Sequence, residues 1–487
     1  MSEEIRNIEP KQLWENFYQL TNIPRPSKNE MKAALFIKEL GKKLNLETSI
    51  DEIGNVIIRK PASPGLENLK GVILQAHVDM VPQVNNDKVF DFSTDSIDAF
   101  IQDGWVTADG TTLGADNGIG VAAILAILES KEIQHGPIEA LITVDEETGL
   151  SGAFALKPGM LKGEILINLD SEDEDVISIG CAGGVSVTAS WHYEDDCDVT
   201  GDTAYKISVL GLKGGHSGLD IHLGRGNACK ITGRILKKVI RECSCRLASI
   251  NCGNMRNAIP REGEAVITIK KDQSDKFLKL ISNMQTVLMN ELGLTEPDLK
   301  IQAETINMPS KLIPVMIQDD VVNAICAARN GIIRMSDSMP GVVETSSNFS
   351  VVDSSEGKID FLCLTRSFID SARDGVASSL ESCFQLAGAK VETVGSYPGW
   401  KPNRNSEILS VFREVYNSKK GVYPNEVAMH AGLECGVFQG VYPEWDMISF
   451  GPTIKFPHSP DEKVNISSVK NFWEILVEVL KKVPKTK

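Results

Sequence analysis

Nothing in this chain is apolar for long enough to cross a membrane. The longest apolar run, Val121–Leu128, has eight residues, against the ~20 of a spanning helix. Paired cysteines of the CxxC kind are missing. The ten cysteines are scattered, and Cys243-Ser-Cys245 is too tight for a zinc knuckle, so reduced thiols in a cytoplasmic protein are expected. The opening MSEEIRNIEP has neither the positive n-region nor the apolar core of a secretory signal. Basic charge is in deficit: 50 Lys and Arg face 66 Asp and Glu, a formal charge of −16. A polyphosphate partner requires a basic face, so nucleic acid is not an expected partner. Aromatics are only 6%, yet 42% hydrophobic and 24% charged residues are ordinary globular values. At ~150 residues per domain, 487 residues make two or three domains.

The patterning divides the chain. A helix is expected after Ser27, which with Glu30 reads as a capping box, placing Met31, Leu35, Phe36, Leu40 and Leu44 on one face. Then come a strand from Val72 to about Val78, a helix over Asn117–Ser130, the strand PIEALITVDEE and the strand EILINLD ending at Asp170. Strands alternating with helices predict an α/β sandwich on a mostly parallel sheet. The middle reads strand–helix–strand–strand–helix (YKISVLGL, Asn227–Arg241, LASINCG, EAVITIK, Lys276–Glu291), the order of an open α+β, ferredoxin-like sheet. The end returns to α/β style. One domain, 1–186 with 398–487, is therefore expected to be interrupted by another, 187–397.

Acidic residues and histidines recur where strands end, the usual place for sites in open α/β sheets. His77 and Asp79 alternate along one strand and so leave the same face. Asp116 lies at a strand-to-helix turn in TTLGADNGIG, Glu146 and Glu147 close another strand, Asp170 a third, and His458 lies in the loop GPTIKFPHSPDE. Singly each is unremarkable; together, acidic side chains at successive strand ends repel one another unless cations join them. The run Gly211-Leu-Lys-Gly-Gly-His-Ser-Gly lacks the Gly-Lys-Ser/Thr ending of a phosphate loop.

These positions, with the stretches LQAHVDMVPQ, INLDSE, GCAGG, RNAIPRE and HAGLECG, resemble the M20 family of co-catalytic zinc peptidases, in the wording of its aminoacyl-histidine dipeptidase branch. The resemblance implies a zinc-exopeptidase-like domain carrying an inserted lid. It implies two Zn²⁺ per chain, with Mn²⁺ or Co²⁺ as substitutes. His77 and Asp170 would hold one metal, Glu147 and His458 the other, and Asp116 would bridge both. Asp79 would orient His77, Glu146 would be general base and acid, and His216 would stabilise the oxyanion. Asn257 and Arg366 would reach the substrate carboxylate, and His430 would line the substrate site; His135, His192 and His222 match no metal position. The implied function is hydrolysis of unblocked dipeptides, including Xaa-His, by a cytoplasmic homodimer. Another amide hydrolase of the same fold (aminoacylase, deacetylase or carboxypeptidase) and a non-catalytic scaffold are the alternatives.

Overall fold

The computed structural model describes residues 3–355 and 357–486. The chain forms two compact units, one of residues 1–181, 400–428 and 433–487, the other of 182–399 and 429–432. No helix among the described residues is long and apolar enough to cross a membrane.

The first unit is built on an eight-stranded sheet in the order Glu47–Ile50, Val56–Lys60, Ile138–Thr143, Val72–His77, Ile165–Asn168, Asp446–Ser449, Val176–Cys181, Asn425–Met429. The four middle strands, from Ile138–Thr143 to Asp446–Ser449, pair in parallel; the pairs Glu47–Ile50 with Val56–Lys60, Val56–Lys60 with Ile138–Thr143, and Asp446–Ser449 with Val176–Cys181 are antiparallel. Strands Ile138–Thr143, Val72–His77 and Ile165–Asn168 are buried along their whole length, as strands covered on both faces must be. Helix Ala115–Glu129 is buried from Ala115 to Leu128, which explains its apolar residues on every side.

The helix expected after Ser27 differs from its sequence expectation. It runs Met31–Lys43 with no side-chain cap, and the Ser27–Glu30 box does not form. Ser27 instead donates to Asp79 Oδ2 at 2.8 Å, while Glu30 accepts from the Lys28 amide. The buried face is Ala33, Ala34, Ile37 and Gly41, whereas Met31 and Leu35 are exposed. Small residues won because the helix lies close to the sheet: a Cβ on Gly41 would run into Thr48 and Ile58.

In the second unit the six elements Thr203–Leu210, Ala228–Cys243, Arg246–Cys252, Gly263–Ile269, Ser274–Leu292 and Lys300–Ile306 follow βαββαβ order. Numbered by sequence, their strands lie 4-1-3-2 in the sheet, the ferredoxin-like arrangement. Strands Val343–Ser355, Lys358–Ser367, Gly183–His192 and Lys390–Tyr397 extend that sheet. Trp191, Phe349, Phe361 and Phe384 pack edge-to-face or tilted at its centre.

Candidate metal centre

Parallel strands point their carboxyl ends the same way, so the residues that follow them gather at one edge. His77 ends its strand. Asp170 follows Asn168 by two, and Glu146 and Glu147 open a one-turn helix three residues after Thr143. Asp116 sits in the first turn of helix Ala115–Glu129 with non-helical φ/ψ. His458 adopts φ +60 in its loop, a conformation uncommon outside glycine. All these residues belong to the first unit.

Two imidazoles and three carboxylates converge there. His77 Nε2 lies 3.2 Å from Asp116 Oδ1 and 3.2 Å from Asp170 Oδ1. His458 Nε2 lies 3.2 Å from Asp116 Oδ2 and 2.9 Å from Glu147 Oε1. Asp116 thus turns one oxygen to each imidazole. Two donor triads result, His77–Asp116–Asp170 and Asp116–Glu147–His458, each compact enough to hold a cation, and Asp116 is common to both. Glu147 Oε1 is buried without a hydrogen-bond partner despite its nearness to His458, as a ligand oxygen facing a cation would be. Imidazole and carboxylate donors fit zinc, manganese or cobalt.

The charges agree. Burial works against protonation of His77, but the Asp170 charge and contacts with Asp116, Asp170 and Asp79 push its pKa well up. Close contacts with the carboxylates of Asp116 and Glu147 raise His458 to about 11. Burial lifts Asp170 to about 6, and burial with the carboxylates of Asp170, Glu434 and Glu147 lifts Glu146 well above the ordinary range. The cluster draws in positive charge.

Asp79 supports the site from behind. Its Oδ1 lies 3.4 Å from His77 Nδ1 and accepts the Glu146 amide at 3.0 Å, while Oδ2 accepts the Glu147 amide at 3.3 Å. It therefore holds both the ring of His77 and the turn that carries the two glutamates. A further acidic group, Glu30–Asp79–Asp145, is already supplied with protein donors: Ser27, Glu146 and Glu147 for Asp79, Thr148 and Ser151 for Asp145.

Several supports carry no signal in the sequence. Arg25 is buried and donates to the carbonyls of Val78 at 2.8 Å and Gly114 at 2.6 Å, joining the Asp79 and Asp116 segments. One row below the donors, Ser449 donates to Asn168, Asn168 to Gln75, and Gln75 to Glu434, each at 2.5 Å. This belt crosses three neighbouring strands on the face that carries His77.

The other sequence candidates lie in the second unit. His216 Nδ1 accepts the amides of Gly218 and Leu219 at 3.2 and 2.9 Å, which fixes the ring proton on Nε2. Burial, with the charge of Arg366, lowers its pKa. Arg366 is buried, donates to Tyr397 Oη at 2.8 Å, and leaves Nε without a partner. His430 shares a 2.7 Å hydrogen bond with Ser346 through Nε2 and leaves Nδ1 bare. Burial, Arg366 and His216 lower its pKa to about 3. Asn257 is exposed and joins the group by its backbone, whose carbonyl accepts the Ser217 amide at 2.8 Å.

Comparison with known proteins follows this geometry. The profile of Peptidase family M20/M25/M40 matches residues 73–482. The cytosol non-specific dipeptidase of Escherichia coli (strain K12) is 45% identical over 481 residues, 99% of each chain. The crystal structure of aminoacylhistidine dipeptidase from Vibrio alginolyticus superposes with a TM-score of 0.95 at 47% identity, over 100% of this chain and 99% of its own. Aminopeptidase PepT from Bacillus cereus ATCC 10987, at 17% identity and a TM-score of 0.57 over 98% of this chain and 99% of its own, shares the fold.

Proposed function

The chain belongs to peptidase family M20/M25/M40, whose members are metal-dependent, and from that premise we propose that it is a cytoplasmic two-zinc dipeptidase acting on unblocked dipeptides, including Xaa-His. The observation that carries the reading is Asp116, whose two oxygens face two different imidazoles. His77 and Asp170 would hold one ion and Glu147 and His458 the other, with Asp116 shared between the two triads. When bound, the two ions acidify a water and polarise the scissile carbonyl.

The chain's own residues do the rest. Glu146 takes the proton of the attacking water and returns it to the amine of the leaving residue, a role suited to a carboxylate that burial lifts well above the ordinary range. Asp79 keeps Glu146 in place through its amide and His77 through its ring. His216, with its proton on Nε2, is the donor for the developing oxyanion. Arg366 and Asn257 take the substrate's free carboxylate; a buried guanidinium with an unused Nε suits that task. His430 stays neutral beside it. The assembly is taken to be a homodimer, as the family resemblance implies.

The test is product analysis after the zinc-loaded protein meets free dipeptides, their C-terminal amides, tripeptides and N-acetyl amino acids. Free dipeptides should be cleaved far faster than the rest. Preferred cleavage of N-acetyl amino acids would make it an aminoacylase, and equal cleavage of tripeptides a broader aminopeptidase.

A further inference from the structure

Arg366 has a neighbour of its own sign. In the sheet of the second unit, Arg366 pairs with Gly184, and Leu364, two residues back, pairs with Ser186. Positions two apart on a strand share a face, and so do directly paired positions on adjacent strands. Ser186 therefore presents its hydroxyl on the face that carries the Arg366 side chain. Arg256 reaches onto that hydroxyl, donating from Nε at 2.7 Å, and from Nη2 to the Gly395 carbonyl at 3.4 Å. Gly184 keeps the approach open. A Cβ there would lie 2.6 Å from Tyr397 Oη, the group that holds Arg366.

Ser186, which holds Arg256, and Gly184, the backbone partner of Arg366, are two residues apart on one strand, about 7 Å along the backbone. Among the described residues, no carboxylate forms an ion pair with either arginine, in a chain with 66 acidic residues to 50 basic. The charge of Arg256 is felt at Arg366, where it adds to burial in lowering the pKa. The contacts with Ser186 and Gly395 explain how Arg256 is held. They do not explain why two cations should stand together without an acid, and they leave Nη1 free.

We propose that Arg256 forms a second anion subsite beside Arg366, selecting dipeptides whose C-terminal residue is aspartate or glutamate. The inference rests on the reading of Arg366 as the holder of the substrate's free carboxylate. An acidic C-terminal residue carries two carboxylates separated by one or two methylene groups and the α-carbon. With a hydrogen bond's length at each end, a second carboxylate reaches beyond the first to a neighbouring cation on the same face, where Arg256 stands. A neutral isostere such as glutamine fills the same volume but leaves Arg256 without its anion.

The experiment measures kcat and KM for alanyl-glutamate, alanyl-glutamine and alanyl-glutamine amide with the zinc-loaded full chain, Arg256→Gln and Arg256→Lys, checking metal content and melting temperature in each. The parent chain should favour alanyl-glutamate over alanyl-glutamine by ~5–10-fold, mainly in KM. Arg256→Gln should erase that ratio, and Arg256→Lys, which keeps the charge, should restore much of it. A parent ratio near one, or an equal loss on both substrates in Arg256→Gln, would overturn the subsite and leave Arg256 a clip between loop and sheet. The amide separates the two readings: if it is cleaved as fast as alanyl-glutamine, the carboxylate role of Arg366 fails, whatever the glutamate ratio.

Discussion

Glu462 accepts the backbone N–H of Asp116 at 3.3 Å, and with it those of Ala115, Gly114 and Leu113 at 2.7, 3.0 and 2.8 Å. Four consecutive amides thus close on one carboxylate. Glu462 stands four residues beyond His458, so the contact ties the His458 loop to the segment that presents Asp116. One donor of each triad is placed by this tie, and the two donor triads are built as a pair.

Replacing Glu462 by Ala should therefore weaken both positions together. Four buried amides lose their acceptor, and the shared Asp116 is free to shift. Loss of a group that orients ligands typically costs ~10–100-fold in metal affinity or activity. Competition with a chelator of known affinity measures it. Unchanged affinity at both positions would reduce Glu462 to a folding contact.

Asp79→Asn separates orientation from ligation. The amide can satisfy some of the donors around it, but its NH₂ faces others among Ser27, Glu146 and Glu147, all of which now donate to the carboxylate. Metal content should stay close to that of the parent while kcat falls ~10–100-fold. Elemental analysis beside steady-state kinetics reads both. Loss of the metals at unchanged kcat per bound ion would reverse the assignment.

Glu146→Gln keeps size and shape and cannot accept a proton. Metal content should survive, and turnover should fall ~10²–10⁴-fold. Near-normal turnover in the metal-replete variant would move the base elsewhere, first to Glu147.

His430 gives the second unit an acid-sensitive core. Its folded pKa, about 3, is below the ordinary histidine value of 6.5, because burial and the charges of Arg366 and His216 oppose protonation. The unfolded chain then binds the proton first, so the contribution to stability is full above pH ~6.5 and is lost as pH falls toward 3. Between pH 7 and pH 4.5 this histidine should cost about 2 kcal/mol. Urea unfolding at the two pH values should show a smaller acid loss in His430→Gln than in the parent; equal losses would contradict it.

The residues gathered here were legible in the sequence because each lies in a distinct motif, His77 after VILQA and Asp170 after ILINL at strand ends, Asp116 at a turn into a helix and His458 in a loop. The first five elements of the βαββαβ order were legible because their periodicities alternate cleanly; the closing strand Lys300–Ile306 was not. What holds the donors was not. Glu462 lies in a loop rich in proline, where a glutamate reads as solvated, and Arg25 acts on carbonyls that no side-chain pattern announces. Ser27 had a plausible local role as a helix cap and serves Asp79 instead. The buried face of helix Met31–Lys43 followed closeness to the sheet at Gly41, which hydrophobic spacing does not encode.

The central claim is that Asp116 joins two cation positions into one centre. Metal counting by elemental analysis, on the parent chain and on Asp116→Ala equilibrated at the same buffered free zinc concentration, tests it most directly. The account predicts two ions per parent chain and marked loss from both positions in the variant, in a protein that remains folded. Two ions retained at parental affinity in Asp116→Ala would contradict it.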